Sequence, residues 1–528
     1  MPRRAPTLGG NVHRIPRGRA VGRLVASMAT TFGLLAGVLS TTPPAASAAG
    51  GSLTALELTG STGTWSVLDP LPDTTAGEHW DFYNSIYGML FQPGPSGKIL
   101  PDIAQSWKTT HNGLQFDIML RHGVNFSDGT PLNADAVVFN LQRDFNPKNA
   151  CGCLNNFTSV SSVSKINDYE VAINLKSPDI NLIDGFPEEA PNWMISPTAF
   201  QKEGETNFGQ QPVGAGPFVV VSNSPSTKLA LKANPNYWDK GEPKLSTLTF
   251  VTVNSDINAI QAMQAGSGDV YPGLSTPSVV ETVKSAKQFA VYKAPSIQSF
   301  TININNQHPP FNNILAREAL YYALDPVTMN KAIEGGLDTI SESPTGPGGL
   351  FWTPKVPNYR TYNLAKAKSI VKQLGGLSFT LWTITPSPLV PVIEAEESQF
   401  AAAGINAKIE LVNLPTMVHA GATGQVQAVS TAVGNYNPSI LPGVPFAYLS
   451  TSPFSNVKDP NLDKLILAAI AAPTLKAEGQ DYRKVFSYLN KEAYAPYLFT
   501  VTRFLTAKKN VKGLNPSAPE IPWQSVSG

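Results

Sequence analysis

Leu114-Gln-Phe-Asp-Ile-Met-Leu-Arg-His-Gly-Val-Asn-Phe-Ser-Asp-Gly-Thr-Pro-Leu-Asn-Ala-Asp-Ala-Val-Val-Phe-Asn-Leu-Gln-Arg143 is the stretch that decides the fold. Leu114 to Leu120 reads as a strand, and Arg121-His-Gly123 turns it. Val124 to Phe126 is a short return strand, and Asp128-Gly129 makes a tight turn in which glycine supplies a positive φ. Asn133 then caps a helix over Ala134 to Arg143. Its side chain can accept the free amide hydrogens of the first turn, and Asp135 suits the positive helix end. The elements agree with one another, so the chain is read as mixed α/β.

Working outward, Trp80 to Phe91 is helix-like, and Lys165 to Leu175 forms a hairpin around Asn167-Asp168. Lys244 to Val253 is a strand, Asp256 to Ala265 a helix stopped by Gly266, and Asp269 to Tyr271 a further strand. Ser299 to Asn305 alternates as a strand. Asn313 to Leu324 is a helix, and Asp325-Pro326 opens another, with Asp as cap and Pro in the first turn. Leu377 to Thr385, Pro391 to Ala403 and Asn406 to Val412 repeat the strand–helix–strand pattern. Two βαβ units about 130 residues apart predict two α/β lobes.

The chain has 528 residues, more than one simple core needs, and is 42% hydrophobic and only 15% charged. That composition excludes a disordered polyelectrolyte, collagen and coiled coil. The net charge of +1 hides an asymmetry, because the first 48 residues hold six arginines and no Asp, Glu or Lys. Without them, 33 of the 39 basic residues face 38 acids, a balance of −5. A mildly acidic body without a basic stripe does not bind nucleic acid.

The arginine-rich start is followed by an apolar run, Leu24 to Leu39, and by small residues ending in Ala46-Ser-Ala48. Charged, apolar and small-residue regions in that order are the parts of a secretory signal peptide over residues 1–48; an uncleaved anchor is the alternative. No cysteine precedes Cys151, so no lipid-attachment cysteine is available, and the mature chain is expected outside the cytoplasm. Cys151 and Cys153 are the only cysteines. In that compartment they suit a disulfide, with free thiols or a metal site as alternatives.

Catalytic constellations are sparse. The six histidines are scattered with no zinc spacing, and neither a nucleophile elbow nor a Walker loop occurs. Ser162 to Lys165 and Ser455 to Lys458 match S-x-x-K without its companion elements. Gly214-Ala-Gly216 lacks the third glycine of a dinucleotide loop. No catalytic residue, cofactor or metal is expected.

These blocks resemble family 5 of the bacterial extracellular solute-binding proteins, the oligopeptide, dipeptide and nickel-binding components of ABC importers. Pro101-Asp-Ile-Ala-Gln-Ser-Trp107 with Leu120 to Pro131 is similar to the family's P-D-L-A-x-S-W … L-R-x-G-V-x-F-x-D-G-T-P. Val213-Gly-Ala-Gly-Pro-Phe218 resembles G-T-G-P-F, and Asn234-Pro-Asn-Tyr-Trp238 resembles N-x-x-Y-W. Ala262 to Asp269 and Asn305 to Asp325 continue the series in order. The similarity runs from about residue 55 to 510. It implies a type II periplasmic-binding-protein-like clamp of the large, cluster C form. Lobe I would comprise 49–295, with an inserted subdomain at about 92–205, and lobe II 296–495. Residues 496–528 would return to lobe I, with hinge crossings near Pro295 to Phe300 and Ala495 to Thr500. Most motif residues are given structural roles: Trp107, Trp238 and Phe218 in cores, Gly123 and Gly129 in turns, Asn133 and Asp325 as caps.

The resemblance implies a monomeric, extracytoplasmic protein that captures a peptide-like or other mid-sized solute and delivers it to an ABC permease and ATPase complex. A secreted hydrolase, and a sensor or chaperone using the same clamp, are the alternatives. Ligands of open α/β sheets lie at the carboxyl ends of strands. Thr385-Pro-Ser-Pro-Leu389 is therefore expected to border the cleft, with Trp382 beside it as either core or contact. Trp65, Tyr83 and Trp193 are the candidates on the other lobe. Peptide-binding members carry an aspartate in a W-x-A-D-Y-x-D-P-like loop that pairs with the peptide's ammonium. The matching stretch here is Thr431-Ala-Val-Gly-Asn-Tyr-Asn-Pro438. Asn435 and Tyr436 are thus expected to line the site without that charge, unless Glu394 or Asp338 supplies it. A blocked or modified peptide, an oligosaccharide or a metal chelate then fits better than a free-amine peptide, which stays open.

Overall fold

The computed structural model describes residues 50–528, apart from 59–66, 72–79, 95–97, 150, 180–181, 188, 295, 386–388, 434–442, 453–454 and 516–520. The predicted signal segment, Trp65, Asn435 and Tyr436 lie outside the described residues.

The block read first forms the centre of a four-stranded antiparallel sheet. Gln115–Leu120 lies between Ala104–Thr110 and Glu170–Leu175, with Val160–Asn167 at the far edge. Helix Ala134–Asp144 packs on it, and the Asn133 side chain accepts from the Ala136 amide at 3.2 Å. The expected return strand at Val124 to Phe126 is reduced to a single bridge, Asn125 to Pro131. Pro131 sits at a non-hydrogen-bonded position, with the Phe126 amide donating to the Thr130 carbonyl and the Leu132 amide to the Val124 carbonyl on either side of it, both at 2.9 Å, and the pairing extends no further. The Asp128 carboxylate instead takes the Thr130 amide at 2.9 Å and its hydroxyl at 2.6 Å. Cys151 and Cys153 are joined as a disulfide and buried in this subdomain's core.

Helix Trp80–Tyr87 is shorter than its apolar pattern predicts. It stops at Gly88, whose φ of 65° is the left-handed cap that glycine adopts without strain. The residues after it turn into the short Phe91–Pro93 strand.

Two larger mixed sheets carry the rest. The first has the order Phe289–Lys293, Phe504–Lys508, Val270–Leu274, Ser52–Leu58, Thr247–Val253, Lys228–Ala233, Phe218–Ser224. Ser52–Leu58 is parallel to both its neighbours. Helices Asp256–Gln264 and Pro277–Ser285 cover one face, burying Leu56, Ile260 and Val280. Helix Trp80–Tyr87 and Trp523 cover the other, with Leu53, Ala55 and Phe250. Gly214 and Gly216 are motif residues with a packing reason. A Cβ on Gly214 would stand 2.3 Å from the Ile86 carbonyl oxygen, and one on Gly216 2.6 Å from that of Ser85.

The second sheet has the order Ile405–Val412, Leu377–Ile384, Ala428–Val433, Ser299–Ile304, Tyr497–Thr500. The first three strands are parallel, and Ser299–Ile304 runs against both its neighbours. Helices Ile314–Ala323, Leu364–Gln373 and Val390–Ala402 share one core with Ile302 and Leu381. Gly443–Tyr448, Pro460–Ile470 and Leu475–Lys491 share another with Val433 and Tyr497.

The chain passes between the sheets twice, from Lys293 to Ser299 and from Thr500 to Phe504. The second crossing was expected at Ala495 to Thr500. Tyr497–Thr500 instead pairs with Ser299 and Thr301, so the return begins after Thr500. The two crossings are bonded to each other. Ser296 Oγ lies 2.9 Å from Thr502 Oγ1, and the Val501 amide donates to the Gln298 carbonyl at 3.0 Å. Gly348 N–H donates to the Ser296 carbonyl at 2.9 Å, which brings a third segment alongside. A Cβ on Gly346 would meet that carbonyl oxygen at 2.4 Å and Thr500 Cγ2 at 2.7 Å, so only glycine fits there.

Candidate functional site

The parallel strands of the first sheet end at Leu58, Val253 and Leu274, and Leu274 pairs with Phe504, where the return strand begins. Those of the second end at Ile384, Val412 and Val433, and Val433 pairs with Ser299, where the first crossing delivers the chain. Both sets of carboxyl ends therefore lie at the edge that carries the crossings. This is the edge at which open α/β sheets bind ligands.

On the second sheet, Leu377, Phe379, Leu381 and Thr383 point into the core and Trp382 points the other way. Trp382 is half-buried, and its Nε1 is buried without a hydrogen-bond partner among the described residues. Its register partner is Val429. Two residues further along that strand Thr431 pairs with Thr301, placing both on the face that holds Trp382. Thr301 Oγ1 is likewise buried and unpartnered. Asn303, on the same face, accepts from Tyr448 OH at 2.9 Å, and Tyr448 and Tyr497 share a hydrogen bond of 2.7 Å. Burial pushes the Tyr448 phenol well up, so it stays a neutral donor. Thr301, Tyr448 and Tyr497 are fully buried, the two tyrosines in the core shared with Val433, whereas Trp382, Val429 and Thr431 are half-buried, so the strip around Trp382 is the accessible part of this face. Thr301 and Thr431 were not singled out from sequence, because only the strand order brings them beside Trp382.

On the first sheet, Asp256 shapes the edge. It opens the helix after Thr247–Val253 and accepts from Tyr271 OH at 2.5 Å and from the Ser275 and Thr276 amides at 3.0 and 2.6 Å. Glu57, next to the end of Ser52–Leu58, faces Asp81. Burial, and then the Asp81 charge, hold the Glu57 carboxyl well above its ordinary range. Asp81 is pushed up to about 6 by burial, against the opposing Ile521 amide and Trp523 indole. At the crossings, Asp338 is raised to about 6 by burial, with Thr502 and Lys293 opposing.

Tyr83 and Trp193, expected at the cleft, are core residues. Both are fully buried, their ring centroids are 4.8 Å apart, and Trp193 Nε1 donates to Asn84 Oδ1 at 2.7 Å. Helix Trp80–Tyr87 turns the Tyr83 ring inward, and the bridge between Trp193 and Met89 sets the indole against it, where the apolar area of both is best buried. Trp65, residues 386–388 of the Thr385 to Leu389 loop, and Asn435 with Tyr436 lie outside the described residues. Among the described residues no group of three His, Cys, Asp or Glu could hold a metal ion, and no helix is long and apolar enough to cross a membrane.

Comparison with known proteins places the chain. Residues 98–455 match the family described as bacterial extracellular solute-binding proteins, family 5, middle region. The glutathione-binding protein GsiB of Salmonella choleraesuis is 30% identical over 329 residues, 62% of this chain and 63% of that protein. GsiB of Pectobacterium atrosepticum is 29% identical over 351 residues, 66% and 67% of the two chains. The match thus spans about 63% of the length of the first of these relatives. Among solved structures, the periplasmic binding protein DppA of Helicobacter pylori, in complex with the peptide STSA, superposes with a TM-score of 0.78. It is 21% identical and covers 90% of this chain and 98% of its own. NikZ of Campylobacter jejuni, in complex with Ni(L-His), gives 0.75 at 19% identity, covering 90% and 99%. The fold is the mixed α/β type II periplasmic-binding-protein fold. The chain belongs to the bacterial extracellular solute-binding proteins, family 5.

Proposed function

We propose that the chain is an extracytoplasmic solute-binding protein that captures a mid-sized, peptide-like solute and hands it to an ABC permease and ATPase complex, with no covalent chemistry. The observation that carries this reading is the shared edge: the carboxyl ends of six parallel strands, from two sheets, meet the two bonded crossings there. Lobe I is then 49–295 with its inserted subdomain at 92–205, lobe II is 296–500, and the chain returns from 501. Closure about the crossings would enclose the solute. The relatives' names support the class: GsiB is called glutathione-binding, and DppA is seen with a peptide. Residues 1–48 act as the secretory signal, and the mature chain works as a monomer.

Trp382, Asn435 and Tyr436 line the lobe II side. With Asn435 where peptide-binding members carry an acid, the solute's amine is blocked, modified or absent. Calorimetry against glutathione, Met-Leu and N-acetyl-Met-Leu tests this. Tight binding of Met-Leu that vanishes on N-acetylation would overturn the ligand class, and Asn435→Asp improving Met-Leu affinity would support it.

Trp382→Phe separates contact from core. A ligand that accepts the indole N–H should lose about tenfold in affinity, or about 1.4 kcal/mol. The ligand-free protein should be unchanged or up to about 1 kcal/mol more stable, because a buried donor without a partner is removed. Lower stability with unchanged affinity would return Trp382 to the core.

A further inference from the structure

Glu396 is a fully buried carboxylic acid in the middle of helix Val390–Ala402, among Val392, Ile393 and Phe400. Neither of its oxygens has a hydrogen-bond partner among the described residues. The polar group that faces it is the Ser430 hydroxyl, itself buried and without a formed bond. Burial pushes the Glu396 carboxyl up to about 8, and Ser430 alone opposes the shift. An ionised carboxylate could not be left unpaired at this depth, so the group carries its proton at neutral pH.

No charged neighbour accounts for it. On its own helix Glu394 is exposed and Glu397 half-buried. On the helices packed against it, Arg317 donates to the Phe311 and Glu492 carbonyls, Glu318 pairs with Arg360 at 2.7 Å, and Lys331 is exposed. Asp325 caps its own helix. On the adjoining Ile405–Val412 strand Lys408 pairs with Glu410 at 3.6 Å. The Leu377–Ile384 and Ala428–Val433 strands carry no titratable residue.

The position of the pair is what matters. Helix Val390–Ala402 begins just after the segment that follows the Leu377–Ile384 strand. Ser430 lies in the Ala428–Val433 strand, which precedes Asn435 and Tyr436 in sequence. Thr383 Oγ1 donates to the Ser430 carbonyl at 3.0 Å, tying the two strands together. We propose that Glu396 is a positioning residue for the cleft: protonated, it donates to Ser430 Oγ and holds its helix against the Ala428–Val433 strand, and loss of that proton loosens the two strand ends that border the solute. The inference rests on the cleft reading above and concerns its regulation.

The sign of the pH effect follows. The folded state binds the proton more tightly than the unfolded chain does. Stability therefore falls as pH rises from the ordinary glutamate range to about 8 and levels off above it. Glutamine keeps the shape and the donor without the titration.

Hydrogen exchange on the purified protein at pH 6.5 and 9.0, corrected for intrinsic rates, is the test. Protection of 377–384 and 428–433 should fall about tenfold further than that of the Ser52–Leu58 strand. In Glu396→Gln the extra fall should vanish, while Glu396→Leu, lacking the donor, should show weak protection at both pH values. An equal fall in the glutamine variant, no fall in the parent, the same fall in Ser52–Leu58, or full protection in the leucine variant would overturn the proposal. N-acetyl-Met-Leu titrated at both pH values gives a second arm: its affinity should drop about tenfold in the parent only. If it binds at neither pH, the ligand assignment fails and the exchange result still decides the role of Glu396.

Discussion

Arg143→Met is expected to cost about 3–5 kcal/mol of stability, the loss seen when one partner of a buried ion pair is removed. The Arg143 guanidinium pairs with the Asp69 carboxylate and stands 3.8 Å from that of Asp144. It also lies over the Phe200 ring, with its central carbon 4.7 Å from the centroid. The Asp69 side chain is 2% exposed and that of Asp144 3%. Burial raises the Asp144 carboxyl to about 8 against the pull of Arg143, with Asp69 adding to the rise. Without the cation, Asp69 would be a buried charge supported, among the described residues, by the Leu71 amide at 3.1 Å. The pair ties the segment before helix Trp80–Tyr87 to the end of the inserted subdomain's helix, so the loss should be cooperative. Urea unfolding measures it. Asp69→Leu added to Arg143→Met should restore most of the stability, because two apolar groups leave no charge unpaired. A single-variant loss under about 1 kcal/mol would mean that water reaches the site.

Asp256→Ala should cost about 3 kcal/mol and loosen the first sheet's side of the cleft. Its carboxylate, 4% exposed, is the acceptor for the Tyr271 phenol and for the Ser275 and Thr276 amides. Removing it orphans two backbone donors and a buried hydroxyl, each worth about 1–3 kcal/mol when left unsatisfied. It also removes an acid from a helix N-terminus. Burial is the first cause that holds the Tyr271 phenol far above its ordinary range, and it persists without Asp256, so the hydroxyl stays a neutral donor left without its acceptor. Tyr271→Phe in the Asp256→Ala background should therefore recover part of the loss, while in the parent it should be destabilising. Equal effects of Tyr271→Phe in both backgrounds would show that the bond carries no stability.

The elements were legible because their causes are local. Asn133 and Asp325 bond amides two or three residues away, and Gly123 and Gly129 take positive φ within their own turns. Such geometry is fixed within about four residues, which a single sequence displays. The segment Val124 to Phe126 is also a local matter: it folds back on Thr130 to Leu132 around the Asp128 turn, over too few residues to make a strand.

Partnership was not legible. Tyr83 and Trp193 have the composition of a binding surface, and nothing near them in sequence says that they close on each other across 110 residues. Trp382 could be placed next to a strand end by its alternation, but Thr301 joins its face only through the antiparallel pairing with Thr431. Glu396 reads as one polar residue on a helix until the sheet sets Ser430 opposite it. Sequence by itself determined the helices, turns and family blocks, because hydrogen-bond geometry and capping act between neighbours. Which polar groups are left unpaired and which strand ends meet at one edge is visible only in the tertiary structure, because burial is settled by residues from about thirty to more than a hundred positions apart.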